Sequence, residues 1–325
     1  MDEFQKLLLN YYNEEFLVIN PSGSKGDQLI LMGMEKKLKE LNVRYRLFHL
    51  RLESSFFNQV RDYVRRKLLN NKLKVLKKGG GHLIYSVTSF INNQMIRKRR
   101  LIPNASSTIL LLRGGAYLND IWKEYHIFNI VFQAVHNKPY SKIIIGPHSF
   151  YFSSKYFLSL LNNIKNEIHI FCREKYSYDH LNSMVFPRNV HIHLSPDTAL
   201  YLSKENFQLK DKCKREEYIL IAPRKDRESV VTWEINRMIS KTKILFGDII
   251  HLPKFQDYIN IIWNARQIYT DRLHNAILAA ILGKETYLYP NLYHKNKGVY
   301  EFSLRKFPNV KFVDSYKFLG VNACS

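Results

Sequence analysis

The sequence has few cysteines, and they form no recognisable cluster. Its three cysteines, Cys172, Cys213 and Cys324, are odd in number and widely spaced, and no C-x-x-C or C-x-x-H spacing occurs. Zinc sites and disulfide frameworks need cysteines or histidines at close, regular spacing. We therefore expect no metal site and no disulfide framework, and the sparse thiols are typical of a reducing compartment.

Long apolar runs are also missing. No stretch approaches the roughly 18 residues of a membrane-spanning helix, and the N-terminal residues do not show the basic region and apolar core of a secretory signal. Low-complexity tracts and short internal repeats are absent from the sequence. With 325 residues, 46% hydrophobic and 24% charged, the chain is predicted to be a soluble, cytoplasmic protein of two domains.

Acidic residues are scarce: 28 Asp and Glu stand against 50 Lys and Arg, for a net charge of +22. Half of this excess lies in residues 51–103, where thirteen basic residues accompany two acidic ones. Such a segment can attract nucleic acid, an anionic membrane surface or a phosphorylated substrate, or it can be a solvated face. Nucleic acid is the least favoured, because no zinc-finger, RNP-like or basic-zipper pattern is present.

Apolar runs of strand length alternate with helical patterns along the chain. A strand over residues 16–20, a glycine-containing turn over 21–27 and a helix over 29–41 are typical of the opening of a doubly wound α/β domain. A polar stretch, residues 204–217, interrupts the pattern before it restarts. We predict two Rossmann-like domains, residues 1–205 with a basic insertion at about 51–103, and residues 215–325. Further strands are predicted over residues 44–50, 108–112, 142–145, 168–171, 190–194, 218–222, 248–252, 286–289 and 310–313.

Glycines follow two of these predicted strands directly. Arg113, Gly114 and Gly115 come after residues 108–112, and Gly146 begins a Gly-Pro-His-Ser loop that includes His148. Glycines at the carboxyl end of a parallel strand allow a ligand to approach the backbone. His148 could therefore meet a substrate, or it could be an ordinary turn residue.

The residues Arg272, Leu273 and His274 begin a helical pattern after a predicted strand. Thr270 or Asp271 could cap this helix, which would place Arg272 and His274 in its first turn, near free N–H groups and the positive end of the dipole. An arginine fork beside an imidazole can hold and protonate a phosphorylated, carboxylate-bearing substrate. The alternative is that Arg272 pairs with Asp271 at the surface and His274 packs within the helix.

Six short motifs occur in a fixed order along this α/β pattern: Gly26-Asp27, Arg113-Gly-Gly115, Gly146-Pro147, Arg173-Glu174, Pro196-Asp197 and Arg272-Leu-His274. The ordered set resembles the polysaccharide pyruvyl transferase family, which moves pyruvate from phosphoenolpyruvate to a sugar as a ketal. The resemblance implies a glycosyltransferase type B fold, with two Rossmann-like domains and the active site in the cleft between them. Many members have a longer glycine run than this chain has at Arg113, and the basic segment is unusual. These departures leave the acceptor open.

The resemblance also implies roles for particular residues. The residues expected to bind the donor phosphoenolpyruvate are Arg173 of the N-terminal domain and Arg272, Leu273, His274, Lys295 and Lys297 of the C-terminal domain. On the N-terminal, acceptor side, the expected residues are Gly26, Arg113, Gly114, Gly115 and His148.

Three residues are the catalytic candidates: His274, Arg272 and Asp27. His274 is the candidate general acid, since histidine has an ordinary pKa near about 6.5. Arg272 would clamp the phosphate and carboxylate. Asp27 or Asp197 could deprotonate the acceptor, although Asp197, which follows a proline, could instead cap a helix.

The expected partners follow from this chemistry. Phosphoenolpyruvate would be the donor substrate, with no cofactor and no metal. The acceptor would be a sugar in a polysaccharide, a glycan or a lipid- or nucleotide-linked precursor of a cell-surface exopolysaccharide, and the basic segment would suit a diphosphate-bearing acceptor or the inner membrane face. Two alternatives stay open: a nucleotide-sugar glycosyltransferase of the same fold, and a non-catalytic protein that binds anionic polymers or membranes.

Overall fold

The computed structural model of the protein describes residues 1–21, 23–50, 108–125, 141–152, 156–162, 164–209, 218–234 and 243–318. The predicted basic insertion and most of the predicted linker lie outside these residues, as do Cys213 and Cys324. Within the described residues, no helix is long and apolar enough to cross a membrane.

The first half of the chain forms a six-stranded parallel sheet in the order β2-β1-β3-β4-β5-β6. Its strands are β1 (Glu15–Pro21), β2 (Arg44–Leu50), β3 (Thr108–Leu112), β4 (Lys142–His148), β5 (Glu167–Cys172) and β6 (Val190–Leu194). Its helices are α1 (Glu3–Asn10), α2 (Lys25–Glu40), α3 (Tyr156–Leu161) and α4 (Lys175–Asn182), with 3₁₀ turns at Asp120–Tyr125, Thr198–Tyr201 and Lys204–Asn206.

The second half forms a five-stranded parallel sheet in the order β12-β11-β10-β7-β9, and a small parallel pair of β8 and β13. The strands are β7 (Tyr218–Ala222), β8 (Thr232–Trp233), β9 (Lys243–Phe246), β10 (Ala265–Thr270), β11 (Glu285–Leu288), β12 (Val310–Phe312) and β13 (Lys317–Phe318). The helices are α5 (Phe255–Trp263), α6 (Leu273–Ile281) and α7 (Lys295–Val299), with a 3₁₀ turn at Ile249–His251 and a π-helical turn at Tyr300–Leu304.

Both faces of the first sheet are buried. Phe16 and Val18 of β1 pack into one apolar cluster, and Leu17 and Ile19 pack into another on the opposite face. A parallel strand covered on both faces has apolar residues at every position, which is why its strands stand out in the sequence as continuous apolar runs. The prediction of an α/β protein with parallel sheets is confirmed.

Helix α6 is buried on nearly all sides. It shares an apolar cluster with the second sheet, with Leu29 of α2 and with Ala199 of the turn after β6. Helix α2 in turn lies directly on that turn, since a Cβ added to Gly33 would stand 1.8 Å from the carbonyl oxygen of Thr198. These contacts bring the start of α6 against the first half of the chain.

Three predicted elements differ from the structure. Helix α2 begins at Lys25 and not at residue 29, because Ser24 and Asp27 form a capping box, so Gly26 and Asp27 lie in its first turn and not in a loop. The predicted strand over residues 248–252 is wrong: the strand is β9, and Gly247, with φ of +159°, separates it from a 3₁₀ turn. Lys295 and Lys297 lie in α7 and not in a loop.

Candidate active site

The carboxyl ends of β1 and β3 bring Asp27 and Arg113 together. In a doubly wound sheet the strand order reverses between two neighbouring strands, and ligands bind at the carboxyl ends of these two strands. In the first sheet, β2 lies on one side of β1 and β3 on the other, so the order reverses between β1 and β3. The Nη1 of Arg113 donates to Oδ1 of Asp27 at 2.7 Å, and its Nη2 donates to the carbonyl of Pro21 at 3.3 Å. Burial raises the pKa of Asp27, but the Arg113 guanidinium outweighs it and holds the pKa at about 2.

The second sheet reverses its order between β7 and β10. Asp271, directly after β10, is fully buried, and its Oδ1 accepts a hydrogen bond from the backbone N–H of Arg224 at 2.7 Å. Its Oδ2 has no hydrogen-bond partner among the described residues. Burial, only partly offset by the Arg224 N–H and guanidinium, raises the pKa of Asp271 to about 6.

His274, in the first turn of α6, contacts the first half of the chain. Its Nε2 lies 3.3 Å from Oδ2 of Asp197, which also accepts a hydrogen bond from Nη1 of Arg173 at 2.6 Å. The other oxygen, Oδ1, accepts the N–H of Ala199 at 2.9 Å. Although burial opposes ionisation, His274 and Arg173 hold the pKa of Asp197 well below its usual range. Asp197 is thus both a cap and the partner of two site residues.

Gly26 lies against the imidazole of His274. A Cβ at this position would stand 2.6 Å from Nδ1 and 2.7 Å from Cβ of His274, closer than any side chain can approach. Glycine at residue 26 is therefore required for the N-terminus of α2 to approach the start of α6.

Arg272 is held by two carboxylates that the sequence analysis did not identify. Its Nε donates to Oδ1 of Asp248 at 2.6 Å, and its Nη2 lies 3.1 Å from Oδ2 of Asp226. The alternative of a surface pair with Asp271 is wrong. The expectation that Thr270 or Asp271 caps the helix is also wrong, because Arg272 is the residue that directly precedes α6. The N–H of Arg272 donates to Oγ1 of Thr270 at 3.1 Å.

Lys295 is buried and forms an ion pair with Glu228, another residue that the sequence analysis missed. Glu228 also accepts a hydrogen bond from Nε1 of Trp122 at 2.8 Å and lies 2.8 Å from Nη1 of Arg224. Burial lowers the pKa of Lys295 to about 8, against the attraction of Glu228. Asp226 and Glu228 lie in the loop after β7. Their position after a predicted parallel strand is the sequence feature that could have identified them as site residues.

The remaining predicted residues are placed differently. Lys297 is exposed and pairs with Asp314 at 3.2 Å, whereas Leu273 is part of the apolar core. His148 is fully buried; its Nε2 accepts the N–H of Leu118 at 3.3 Å, and burial lowers its pKa well below the usual value.

The two glycines after β3 serve backbone contacts. A Cβ at Gly114 would meet the Pro147 carbonyl oxygen at 2.4 Å, and Gly115 has φ of +149°. Gly114 therefore admits the neighbouring backbone of Pro147, and the binding of an acceptor at these two glycines stays a prediction.

Among the residues that the structure describes, no group of three or more His, Cys, Asp or Glu side chains could hold a metal ion. The cluster of candidate residues instead alternates cations and carboxylates. Arg113 pairs with Asp27, Arg173 with Asp197, Arg272 with Asp248, and Lys295 with Glu228. Such an array can orient an anionic substrate and a proton-transferring imidazole.

Comparisons with known proteins identify the family of the chain and proteins of similar fold. A curated protein of Bacillus subtilis (strain 168), named "Putative pyruvyl transferase EpsO", is 25% identical over 246 residues, which cover 66% of this chain and 74% of that protein. A solved structure of an uncharacterised Klebsiella pneumoniae protein has a similar fold, with a TM-score of 0.59 at 21% identity, over 96% of this chain and 98% of that one. The profile of the polysaccharide pyruvyl transferases matches residues 25–293. The chain belongs to the polysaccharide pyruvyl transferase family, and it is an enzyme of the pyruvyl transferase class.

Proposed function

We propose that this enzyme transfers pyruvate from phosphoenolpyruvate to a sugar of a polysaccharide or its precursor and forms a pyruvate ketal. The observation that carries the proposal is the position of Asp197, whose carboxylate contacts both the imidazole of His274 and the guanidinium of Arg173. In this proposal the imidazole is the acid–base group and the guanidinium the anion-binding group, and both follow carboxyl ends of strands in the parallel sheets. In this proposal residues 1–205 form the acceptor domain and residues 215–325 the donor domain, as in glycosyltransferase type B folds, with the site in the cleft between them.

The reaction needs one proton donor that can also act as a base. His274 donates a proton to the methylene carbon of phosphoenolpyruvate, which leaves a cation at C2. The first sugar hydroxyl adds to C2 and returns its proton to His274. Phosphate then leaves, the second hydroxyl adds to the new cation at C2, and its proton departs with the phosphate.

We assign the donor anion to Arg173 and Lys295. Arg173 uses Nε in a 2.8 Å bond to Oγ of Ser149 and Nη1 in the bond to Asp197, and we assign Nη2 to the donor. A planar guanidinium held at two of its nitrogens keeps the third in a fixed direction, which favours a defined position of the bound anion.

Arg272 and Asp27 receive altered roles in this proposal. Two carboxylates already neutralise Arg272, so we assign it to positioning the start of α6, from which His274 projects. Asp27 has a pKa of about 2 and is paired with Arg113, and such a weak base is poorly suited to removing a hydroxyl proton. We therefore assign the base function to His274, with Asp27 holding Arg113.

The family implies a polysaccharide acceptor. A diphosphate-lipid-linked acceptor, contact with an anionic membrane face and a cytoplasmic location are further parts of the proposal, and so is the absence of any cofactor. The basic segment that suggests the first two lies outside the described residues.

Calorimetric titration with phosphoenolpyruvate tests the donor. We expect saturable binding to the wild type and to His274→Gln, about tenfold weaker binding to Arg173→Lys, which keeps the charge but loses the fork, and no turnover by His274→Gln. Lys311→Ala, an exposed lysine of β12, is the matched control and should bind normally. Tighter binding of uridine diphosphate glucose would favour a glycosyltransferase. Weak binding of every anion, abolished by salt, would favour a non-catalytic binding protein.

A further inference from the structure

Four rings form an aromatic platform, which we define as Tyr151, Tyr176, Tyr293 and His294. The centroids of Tyr151 and Tyr293 lie 5.3 Å apart, those of Tyr293 and His294 5.3 Å apart, and those of Tyr176 and His294 5.6 Å apart, the last pair being stacked. Tyr151 and Tyr176 are each 41% exposed. Exposed aromatic side chains that lie together mark binding surfaces far more often than isolated ones do.

The inner members of the platform are anchored. Nε2 of His294 lies 3.4 Å from Oε1 of the buried Glu174 and 3.2 Å from Oγ of Ser177. Tyr293 is buried, and Nδ2 of Asn119 lies 3.4 Å from its hydroxyl. The outer rings thus rest on a fixed base, so little conformational freedom is lost when a ligand stacks on them.

The platform is continuous with the candidate active site. Tyr151 lies two residues after Ser149, whose Oγ accepts a hydrogen bond from Nε of Arg173. Tyr176 lies three residues after Arg173, and His294 directly precedes Lys295, whose Nζ is 5.3 Å from the centroid of the Tyr293 ring. Two chain segments therefore present both an ion-pair residue and a platform ring, and a third presents a platform ring beside the serine that contacts Arg173.

We propose that the aromatic platform binds a pyranose ring of the acceptor glycan next to the site of transfer. This inference rests on the proposed function. The C–H groups on one face of a pyranose are weakly positive and favour the negative face of an aromatic ring, while the equatorial hydroxyls remain free for hydrogen bonds. A phenol hydroxyl adds a polar contact at the edge.

Saturation-transfer NMR with the methyl glycosides of glucose, galactose, mannose and N-acetylglucosamine tests the platform without phosphoenolpyruvate. We expect at least one glycoside to bind the wild type, and its signal to fall about fivefold or more in the double variant Tyr151→Ala/Tyr176→Ala, since each lost stacking contact weakens binding several-fold. Tyr151→Phe/Tyr176→Phe keeps the rings and should retain most of the signal. Tyr12→Ala, a tyrosine that is 51% exposed elsewhere, should be unchanged.

The inference is overturned if no glycoside binds, or if the double alanine variant binds as the wild type does. Uridine diphosphate is measured as a further probe, and the inference is also overturned if it is the only probe whose signal depends on the two tyrosines. Titration of the same variants with phosphoenolpyruvate separates the two proposals. If the double alanine variant binds both phosphoenolpyruvate and the glycoside as the wild type does, only the platform proposal is wrong. If the wild type does not bind phosphoenolpyruvate, the proposed donor is wrong, and the glycoside result is unaffected.

Discussion

The Oδ2 atom of Asp197 lies 3.3 Å from Nε2 of His274, and the two residues come from different halves of the chain. The same carboxylate oxygen accepts a hydrogen bond from Arg173. A fully buried carboxylate whose pKa is held well below its usual range is ionised at neutral pH, and at this position it orients the imidazole. In the proposed reaction Asp197 is therefore a positioning residue that acts through His274.

Asp197→Asn is expected to lower kcat by about 100-fold, because the amide does not reproduce the charged contact that orients the imidazole of His274. Unfolding in urea should also show a loss on the order of 3 kcal/mol, since the buried Arg173 loses its counter-charge. A kcat like that of the wild type in Asp197→Asn would contradict the proposed role.

Gly26→Ala should reduce turnover without a matching loss of donor affinity. The added methyl group meets the imidazole and Cβ of His274, so the ring has to move away from Asp197, and we expect kcat to fall at least about tenfold. Gln28→Ala, an exposed residue of the same helix, is the control. Wild-type turnover in Gly26→Ala would show that the contact with His274 is not needed.

Arg272→Lys separates a positioning role from direct donor contact. Lysine cannot reproduce the contacts with Asp248 and Asp226 together, so we expect lower kcat and a lower melting temperature with little change in KM for phosphoenolpyruvate. Arg266→Lys, on the exposed side of the same strand β10, should leave both constants unchanged. A rise in KM with unaltered kcat would instead identify Arg272 as a donor-binding residue.

Asp271→Asn should become more stable relative to the wild type as pH rises. Because folding raises the pKa of Asp271 from 3.8 to about 6, the folded state binds more protons than the unfolded state between these values. The stabilising contribution is complete below the lower value and is lost as pH rises through about 6. Urea unfolding of both proteins at pH 4, 5, 6 and 7 should show that the free energy of unfolding of the variant rises relative to that of the wild type by on the order of 2–3 kcal/mol. A difference between the two proteins that does not depend on pH would contradict the raised pKa of Asp271.

A histidine cluster at the edge of the first sheet should destabilise the protein in acid. His169 is buried, with Nδ1 3.0 Å from Nε2 of His193 and Nε2 3.1 Å from Glu167, and His191 stacks on it at 5.1 Å. Burial, and then the neighbouring His193, lowers the pKa of His169 from 6.5 to about 4. The contribution of this group is thus complete above pH 6.5 and is lost as pH falls through about 4.

His169→Gln removes this titration. Between pH 7 and pH 4 the variant should lose less stability than the wild type, by on the order of 1–3 kcal/mol, as measured by urea unfolding. His251→Gln, whose side chain is 77% exposed, is the control and should follow the wild type. Parallel pH curves for His169→Gln and the wild type would exclude His169 as the cause of acid sensitivity.

Much of the fold could be predicted because the strands are buried on both faces. Apolar runs such as residues 108–112 and 218–222 are the strands β3 and β7, and the pattern after residue 272 is the helix α6. Prediction failed where local chemistry decided the outcome. An apolar run at residues 248–252 forms a 3₁₀ turn because Gly247 ends β9, and α2 starts four residues early because of its capping box.

The order of α and β elements, the family, and the arginines and histidine that follow strands could be recognised from the sequence, because they depend on residues that are close together along the chain. Which charged side chains contact each other became known from the three-dimensional structure. Asp248, Asp226 and Glu228 neutralise Arg272 and Lys295, and Asp197 joins His274 to Arg173 across 77 and 24 residues. Ion pairing in a buried site depends on distance and desolvation in space, and sequence separation carries no information about either.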